Sequence, residues 1–148
     1  MRIRAANNGD ADSIVELIGQ LGYANEAGQV REQLRALRVP ASGEAFVAED
    51  EGRVLGLAVV HTIKPLHVPA RWALLSALVV DAGGRSAGVG ARLLAAAERY
   101  AVTQGCAQIE LSSNSARTRA HGFYERHGYQ EKRRRFVKQL ASIASPAA

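Results

Sequence analysis

Residues 77–97 read Ala77-Leu78-Val79-Val80-Asp81-Ala82-Gly83-Gly84-Arg85-Ser86-Ala87-Gly88-Val89-Gly90-Ala91-Arg92-Leu93-Leu94-Ala95-Ala96-Ala97. This is an apolar strand, a glycine-rich turn, and a helix whose first turn is almost bare of side chains. The N–H groups that open a helix have no acceptor inside it, and the aligned peptide dipoles place partial positive charge there. Such a terminus is a phosphate site. Glycines at 88 and 90 let a diphosphate approach without meeting a Cβ, and Arg85 adds a fixed positive charge. A phosphorylated cofactor is therefore expected against Arg85, Ser86, Ala87, Gly88, Val89 and Gly90.

The spacing argues against two common phosphate binders. Arg85-x-x-Gly88-x-Gly90 lacks the Lys-Ser/Thr that ends a P-loop, which disfavours triphosphate hydrolysis. It also lacks the Gly-x-Gly-x-x-Gly run and the later acidic residue of a dinucleotide site.

Working outward, Arg2 to Ala6 reads as a short strand. Asn8-Gly9-Asp10 supplies capping side chains for a helix with Ile14, Leu17, Ile18 and Leu21 at helical spacing. Asn25-Glu26 opens a second helix carrying Val30, Leu34 and Leu37, which stops before Pro40. Two apolar strands, 45–48 and 54–60, flank Asp50-Glu51-Gly52-Arg53, a hairpin turn by composition. Trp72 to Val80 is a further strand, and the glycine turn then leads into a helix reaching about Gly105. A short strand over 109–112 precedes a helix over 117–127 that Gly128 terminates. Tyr129 to Val137 is predicted as the last strand. The order implies a mixed, twisted α/β (α+β) sheet of about six or seven strands flanked by about four helices, its second half holding a parallel pair.

The 148 residues suit one domain, 1–140, with 141–148 as a frayed tail. Hydrophobic content of 47% with 22% charged residues fits a globular chain. No apolar run approaches the ~20 residues that span a bilayer, so no membrane partner is expected. Met1-Arg2-Ile3-Arg4 is followed by no export signal. The single Cys106 forms no internal disulfide and reads as packing, which points to the cytoplasm. A net charge of +5 favours anionic partners. Part of it lies in Lys132-Arg133-Arg134-Arg135, but no nucleic-acid motif accompanies that run, and a polyphosphorylated cofactor accounts for the same charge.

Two blocks resemble the GNAT superfamily of acyl-CoA-dependent N-acetyltransferases. One is Ala77-Leu78-Val79-Val80 followed by Arg85-Ser86-Ala87-Gly88-Val89-Gly90, similar to the family's Arg/Gln-x-x-Gly-x-Gly/Ala diphosphate loop. The other is Ala120-His121-Gly122-Phe123-Tyr124-Glu125-Arg126-His127-Gly128-Tyr129, similar to Ala-x-x-x-Tyr-Glu-x-x-Gly-Phe/Tyr. The element order agrees over nearly the whole chain. The resemblance implies acetyl-CoA as co-substrate, a small-molecule or peptide amine as acceptor, and direct attack in a ternary complex. The amides of 86–90 would hold the diphosphate. The backbone of Leu78, Val79 and Val80 would pair with the pantetheine arm as an added strand, in a slot where that strand and the next splay apart. An amide at the strand end, Val79 or Val80, would polarise the thioester carbonyl. Tyr124 would protonate the leaving thiolate, with Phe123 facing elsewhere into the core and Tyr129 packing.

Two departures stand out. The cofactor strand has no acidic residue to deprotonate the acceptor; Glu110, His61 and His67 are alternatives, none favoured. Arg117 stands where many relatives carry a cofactor-contacting asparagine, and Asn114 is placed to cap that helix. His121 and His127 do not share a helical face, so no catalytic metal is expected. Gln20, Tyr23, Glu26, Lys64 and His67 are expected around the acceptor. Exposed strands at the sheet's ends leave room for a homodimer. Two other readings stay open: a non-catalytic acyl-CoA-binding module, for which the missing carboxylate speaks, and a nucleic-acid binder built on the basic run.

Overall fold

Capping chemistry sets the 3-10 turn Asn8–Asp10 that leads into the first helix. In the computed structural model, which describes residues 1–84, 88–112, 118–132 and 135–141, the Asn7 side chain accepts from Gly9 N at 2.9 Å. Asp10 accepts from Asn7 N at 2.8 Å, closing a reciprocal cap. Helix α1 (Ala11–Gln20) follows, and α2 (Ala27–Arg38) begins after Glu26. The strands are β1 (Arg2–Ala5), β2 (Gly43–Asp50), β3 (Arg53–Ile63), β4 (Arg71–Val80) and β5 (Cys106–Leu111). Helix α3 (Val89–Thr103) joins β4 to β5, and α4 (Thr118–Arg126) comes last. The described residues within 1–111 form one compact unit and those within 112–143 a second.

In the first unit the sheet order is β1-β2-β3-β4-β5, antiparallel until the parallel β4–β5 pair. The β2–β3 hairpin turns at Glu51 (φ 49°) and Gly52 (φ 78°), both left-handed as a tight hairpin requires. One face carries Val47, Leu57, Val59 and Val79, packed under Ile14 and Leu17 of α1 and Val30 and Leu34 of α2. The opposite face receives α3. There Gly56 permits close approach, because a Cβ at that position would lie 2.7 Å from Leu93 Cδ1 and 3.2 Å from Val89 Cγ1. The first turn of α3 is thereby seated on β3, beside the far end of β4.

The described residues form five strands, fewer than the six or seven expected. The predicted strand over 129–137 is the main difference: its described residues, 129–132 and 135–137, are not in a strand. Phe136 and Val137 are 93% and 69% exposed. A strand is held by its ladder to a neighbour, not by alternation alone, and Phe136 and Val137 stay in water beside Arg135. Arg133 and Arg134 of the basic run lie outside the described residues, as does the tail from 142.

Arg4 anchors the start of the chain. Its guanidinium donates to both oxygens of buried Asp10 at 2.8 Å and to Glu49 at 2.9 Å. Removing it strands a carboxylate in a dry site, so Arg4→Ala is expected to cost about 3 kcal/mol in urea unfolding. The hydrogen bonds from Arg4, then that from Asn7 N–H, hold the Asp10 carboxyl below its usual value of 3.8 against the opposing effect of burial. Its stabilisation is therefore complete above the ordinary carboxylate range and lost as pH falls through the depressed folded value. The stabilisation lost in Asp10→Asn, read as a difference in urea midpoint from the wild type, is expected to be flat from about pH 7 to 5 and to shrink below about pH 4; a difference constant down to about pH 2 would contradict it.

Candidate active site

The site is built where β4 changes partners. Against β3, Val59 faces Ala77 and Val60 faces Leu75. Ser76 is thus an extra residue, a bulge that bends the strand and increases its local twist. Against β5 the parallel register runs from Arg71 to Leu75, opposite Leu111, and stops. The bulge and the end of pairing coincide. Beyond them, Ser76 to Val79 carry no strand partner on the β5 side among the described residues. An edge of this kind accepts an extended ligand by strand addition, and Leu78 and Val79 lie along it, followed by Val80.

Asp81 governs the exit from that edge. Its N–H donates to Leu55 O at 2.7 Å. Its carboxylate accepts from Gly83 N at 3.3 Å and from Gln20 Nε2 at 3.0 Å. The last residue of α1 is thereby tied to the turn after β4, so Gln20 braces the loop rather than facing solvent freely. A short Asp-Ala-Gly-Gly run is turn chemistry of the Asx type, a legible signal that sequence reasoning passed over.

The chain re-enters the described residues at Gly88, which sits at φ 73° and ψ 17° and precedes α3 with no side-chain cap. A left-handed residue here is natural only for glycine. The helix's first internal bond is Arg92 N to Gly88 O at 3.2 Å, so the amides of Val89, Gly90 and Ala91 lack an intrahelical acceptor. A Cβ at Gly88 would meet nothing within 4 Å. Open space, bare amides and the helix dipole converge on one point, which suits a phosphate. Arg85, Ser86 and Ala87 lie outside the described residues, as do Asn114 and Arg117.

In the second unit, Tyr124 stands on α4 and its ring meets Phe123 at 5.3 Å and Tyr129 at 5.7 Å, edge to face. Tyr129 N donates to Tyr124 O at 3.0 Å, across the stop made by Gly128 at φ 90°. Tyr129 therefore packs as expected. Phe123 does not face away from Tyr124: it is half-buried and joins the same aromatic group, with His127 at 4.5 Å.

Cys106 opens β5 opposite Arg71, and burial raises its thiol above the usual value. A thiol held protonated is a poor nucleophile. On the face shared by α1 and α2, His61, Leu74 and Glu110 fall in one register row across β3, β4 and β5. His61 Nε2 lies 2.7 Å from Ser76 Oγ, a pairing that the sequence did not announce because the two residues sit on different strands at a bulge. His67 packs edge-on against Trp72 at 5.9 Å, and Tyr23 is exposed. Among the described residues no cluster of three or more His, Cys, Asp or Glu is arranged to hold a metal, and no helix is long and apolar enough to cross a membrane.

Residues 13–129 match the family described as Acetyltransferase (GNAT) family. The aminoalkylphosphonate N-acetyltransferase of Salmonella typhimurium is 35% identical over 141 residues, covering 93% of this chain and 90% of that protein. Glucosamine-6-phosphate N-acetyltransferase from Arabidopsis thaliana superposes with a TM-score of 0.84 at 20% identity, over 95% of this chain and 98% of that one. A putative acetyltransferase from Agrobacterium tumefaciens gives 0.84 at 21%, over 95% and 100%. The two superpositions speak to the fold.

Proposed function

The chain belongs to the GNAT family of acetyltransferases, and from that premise we propose that it moves the acetyl group of acetyl-CoA onto a small primary amine by direct attack in a ternary complex. The observation that carries the reading is the start of α3, without a side-chain cap, as the next helix after the open edge of β4. Acetyl-CoA, when bound, supplies the thioester and a thiolate leaving group. The amides of 86–90 and the Arg85 side chain bind its diphosphate, and the β4 edge from Leu78 to Val80 aligns the pantetheine arm. The amide of Val79 or Val80 donates to the thioester oxygen as charge develops there. Tyr124 delivers a proton to the departing sulfur, and Asn114 and Arg117 complete the cofactor-binding set, Arg117 through a phosphate or the arm.

The raised thiol of Cys106 supports direct attack over an acetyl-cysteine route. The Salmonella relative makes aminoalkylphosphonates the first acceptors to try. Thiol release from acetyl-CoA is the measurement, with aminoalkylphosphonates, amino acids, polyamines, aminoglycosides and a lysine peptide as the panel. Turnover with at least one small amine is expected. Tight acetyl-CoA binding with no turnover on any amine would instead favour a coenzyme-binding module, and salt-sensitive RNA or DNA binding that coenzyme A cannot displace would favour the basic-run reading.

A further inference from the structure

An acceptor amine arrives as an ammonium, with an ordinary pKa near that of lysine, about 10.4, and must lose a proton before it can attack. Strand β4 provides no carboxylate for this: Arg71–Val80 reads RWALLSALVV. The register supplies something else at the required place. Ser76 is the bulged residue at which β4 leaves β5, its side chain is exposed, and its Oγ lies 2.7 Å from His61 Nε2. Resting on the acetyltransferase reading above, we propose that Ser76 and His61 form the proton relay that deprotonates the acceptor amine.

In the tautomer with its proton on Nδ1, the imidazole accepts at Nε2 from the Ser76 hydroxyl. The hydroxyl oxygen then keeps lone pairs for an ammonium standing in the open slot. The amine N–H proton passes to Ser76 Oγ as the serine proton passes to His61 Nε2, leaving a neutral amine, an intact serine and an imidazolium. The amine nitrogen then bonds to the acetyl carbon, the carbon–sulfur bond breaks, and the thiolate takes the second nitrogen proton by way of Tyr124. His61 returns its proton to solvent, so the cycle balances as amine plus thioester to amide plus thiol, with one proton released for each ammonium consumed.

The surroundings of His61 keep it available as a base. Its register neighbours are Gly43 on β2 and Leu74 on β4, and Leu37 of α2 packs over Gly43. None of these titrates. Glu110 follows Leu74 in the same row, two strand spacings away, or about 10 Å. His67, against Trp72, exposed Lys64, just past Ile63, and Arg71, which donates to Thr62 Oγ1 at 2.9 Å, are further titratable groups near that end of the strand. Burial lowers the His61 pKa below its usual 6.5, which favours the neutral ring.

Two variants and a pH profile test the relay. With the most active amine of the panel, His61→Gln is expected to lower kcat about 100-fold, the lower end of general-base contributions, with acetyl-CoA affinity by calorimetry changed less than about twofold. The wild-type kcat profile should show an acid limb below the ordinary histidine range, and that limb should vanish in His61→Gln. Ser76→Ala, at an exposed position, should lose rate while keeping a shifted limb. Weakly basic 2,2,2-trifluoroethylamine, compared with ethylamine, should show a much smaller His61→Gln defect, since it needs no base. A defect equal for both amines, or an unchanged acid limb, overturns the relay and leaves the acetyltransferase reading intact. An acetyl adduct on Ser76 in intact-mass measurements also overturns it, assigning the serine as nucleophile. A wild-type protein that binds acetyl-CoA yet acetylates no amine removes the acetyl-transfer reading and the relay together.

Discussion

Gly88→Glu is expected to abolish measurable acetyl-CoA binding while leaving the domain folded. The residue stands at φ 73° immediately before α3, and a Cβ there meets nothing within 4 Å, so the substitution fits sterically. The left-handed backbone strains any L residue by about 1–2 kcal/mol. The new carboxylate adds a larger penalty. At about 5 Å from one diphosphate charge, with an effective dielectric near 20, repulsion is roughly 3 kcal/mol, enough for more than 100-fold in affinity. Gly88→Ala separates the two effects: it carries the strain without the charge, and should lose stability with only a modest change in affinity. Calorimetric titration of each variant, alongside a thermal melt, reads both quantities. Undiminished affinity in Gly88→Glu would remove the diphosphate from this helix.

Tyr124→Phe should lower kcat by about 100-fold and leave acetyl-CoA affinity within about twofold. The magnitude follows from acidity. An ordinary phenol titrates near 10 and a thiol near 8.5, so complete transfer from one to the other is uphill by about 2 kcal/mol. The hydroxyl therefore acts by sharing its proton while the carbon–sulfur bond lengthens, and the benefit belongs at the low end of general-acid effects. The ring's packing against Phe123 and Tyr129 is retained by phenylalanine, so the comparison isolates the hydroxyl. Single-turnover rates separate chemistry from product release. A variant with wild-type single-turnover rates would end the assignment. The effect is independent of the Gly88 substitution, because one acts on coenzyme affinity and the other on the chemical step.

The elements that local chemistry specifies were readable in the chain. Ile14, Leu17 and Ile18 recur at helical spacing and mark α1; Val30, Leu34 and Leu37 mark α2; Asp50-Glu51-Gly52-Arg53 marks the hairpin. Gly88 and Gly128 sit at the two helix boundaries where positive φ is required. Each signal lies within a few residues of the structure it causes. The strand expected over 129–137 was misread for the complementary reason: alternation describes what a segment can do, while a strand forms only against an edge that another segment provides.

What the sequence determined by itself is the element order as far as the last helix, the glycine that opens α3, and membership of the acetyltransferase family. What tertiary structure decided is where the open edge begins and which side chains meet there. The bulge at Ser76 arises from a one-residue mismatch between β3 and β4, and it brings His61 to hydrogen-bonding distance across the ladder. The grip of Asp81 on Gln20 joins residues far apart in the chain. Register and bulges are properties of paired strands, set by how whole faces bury their apolar residues together.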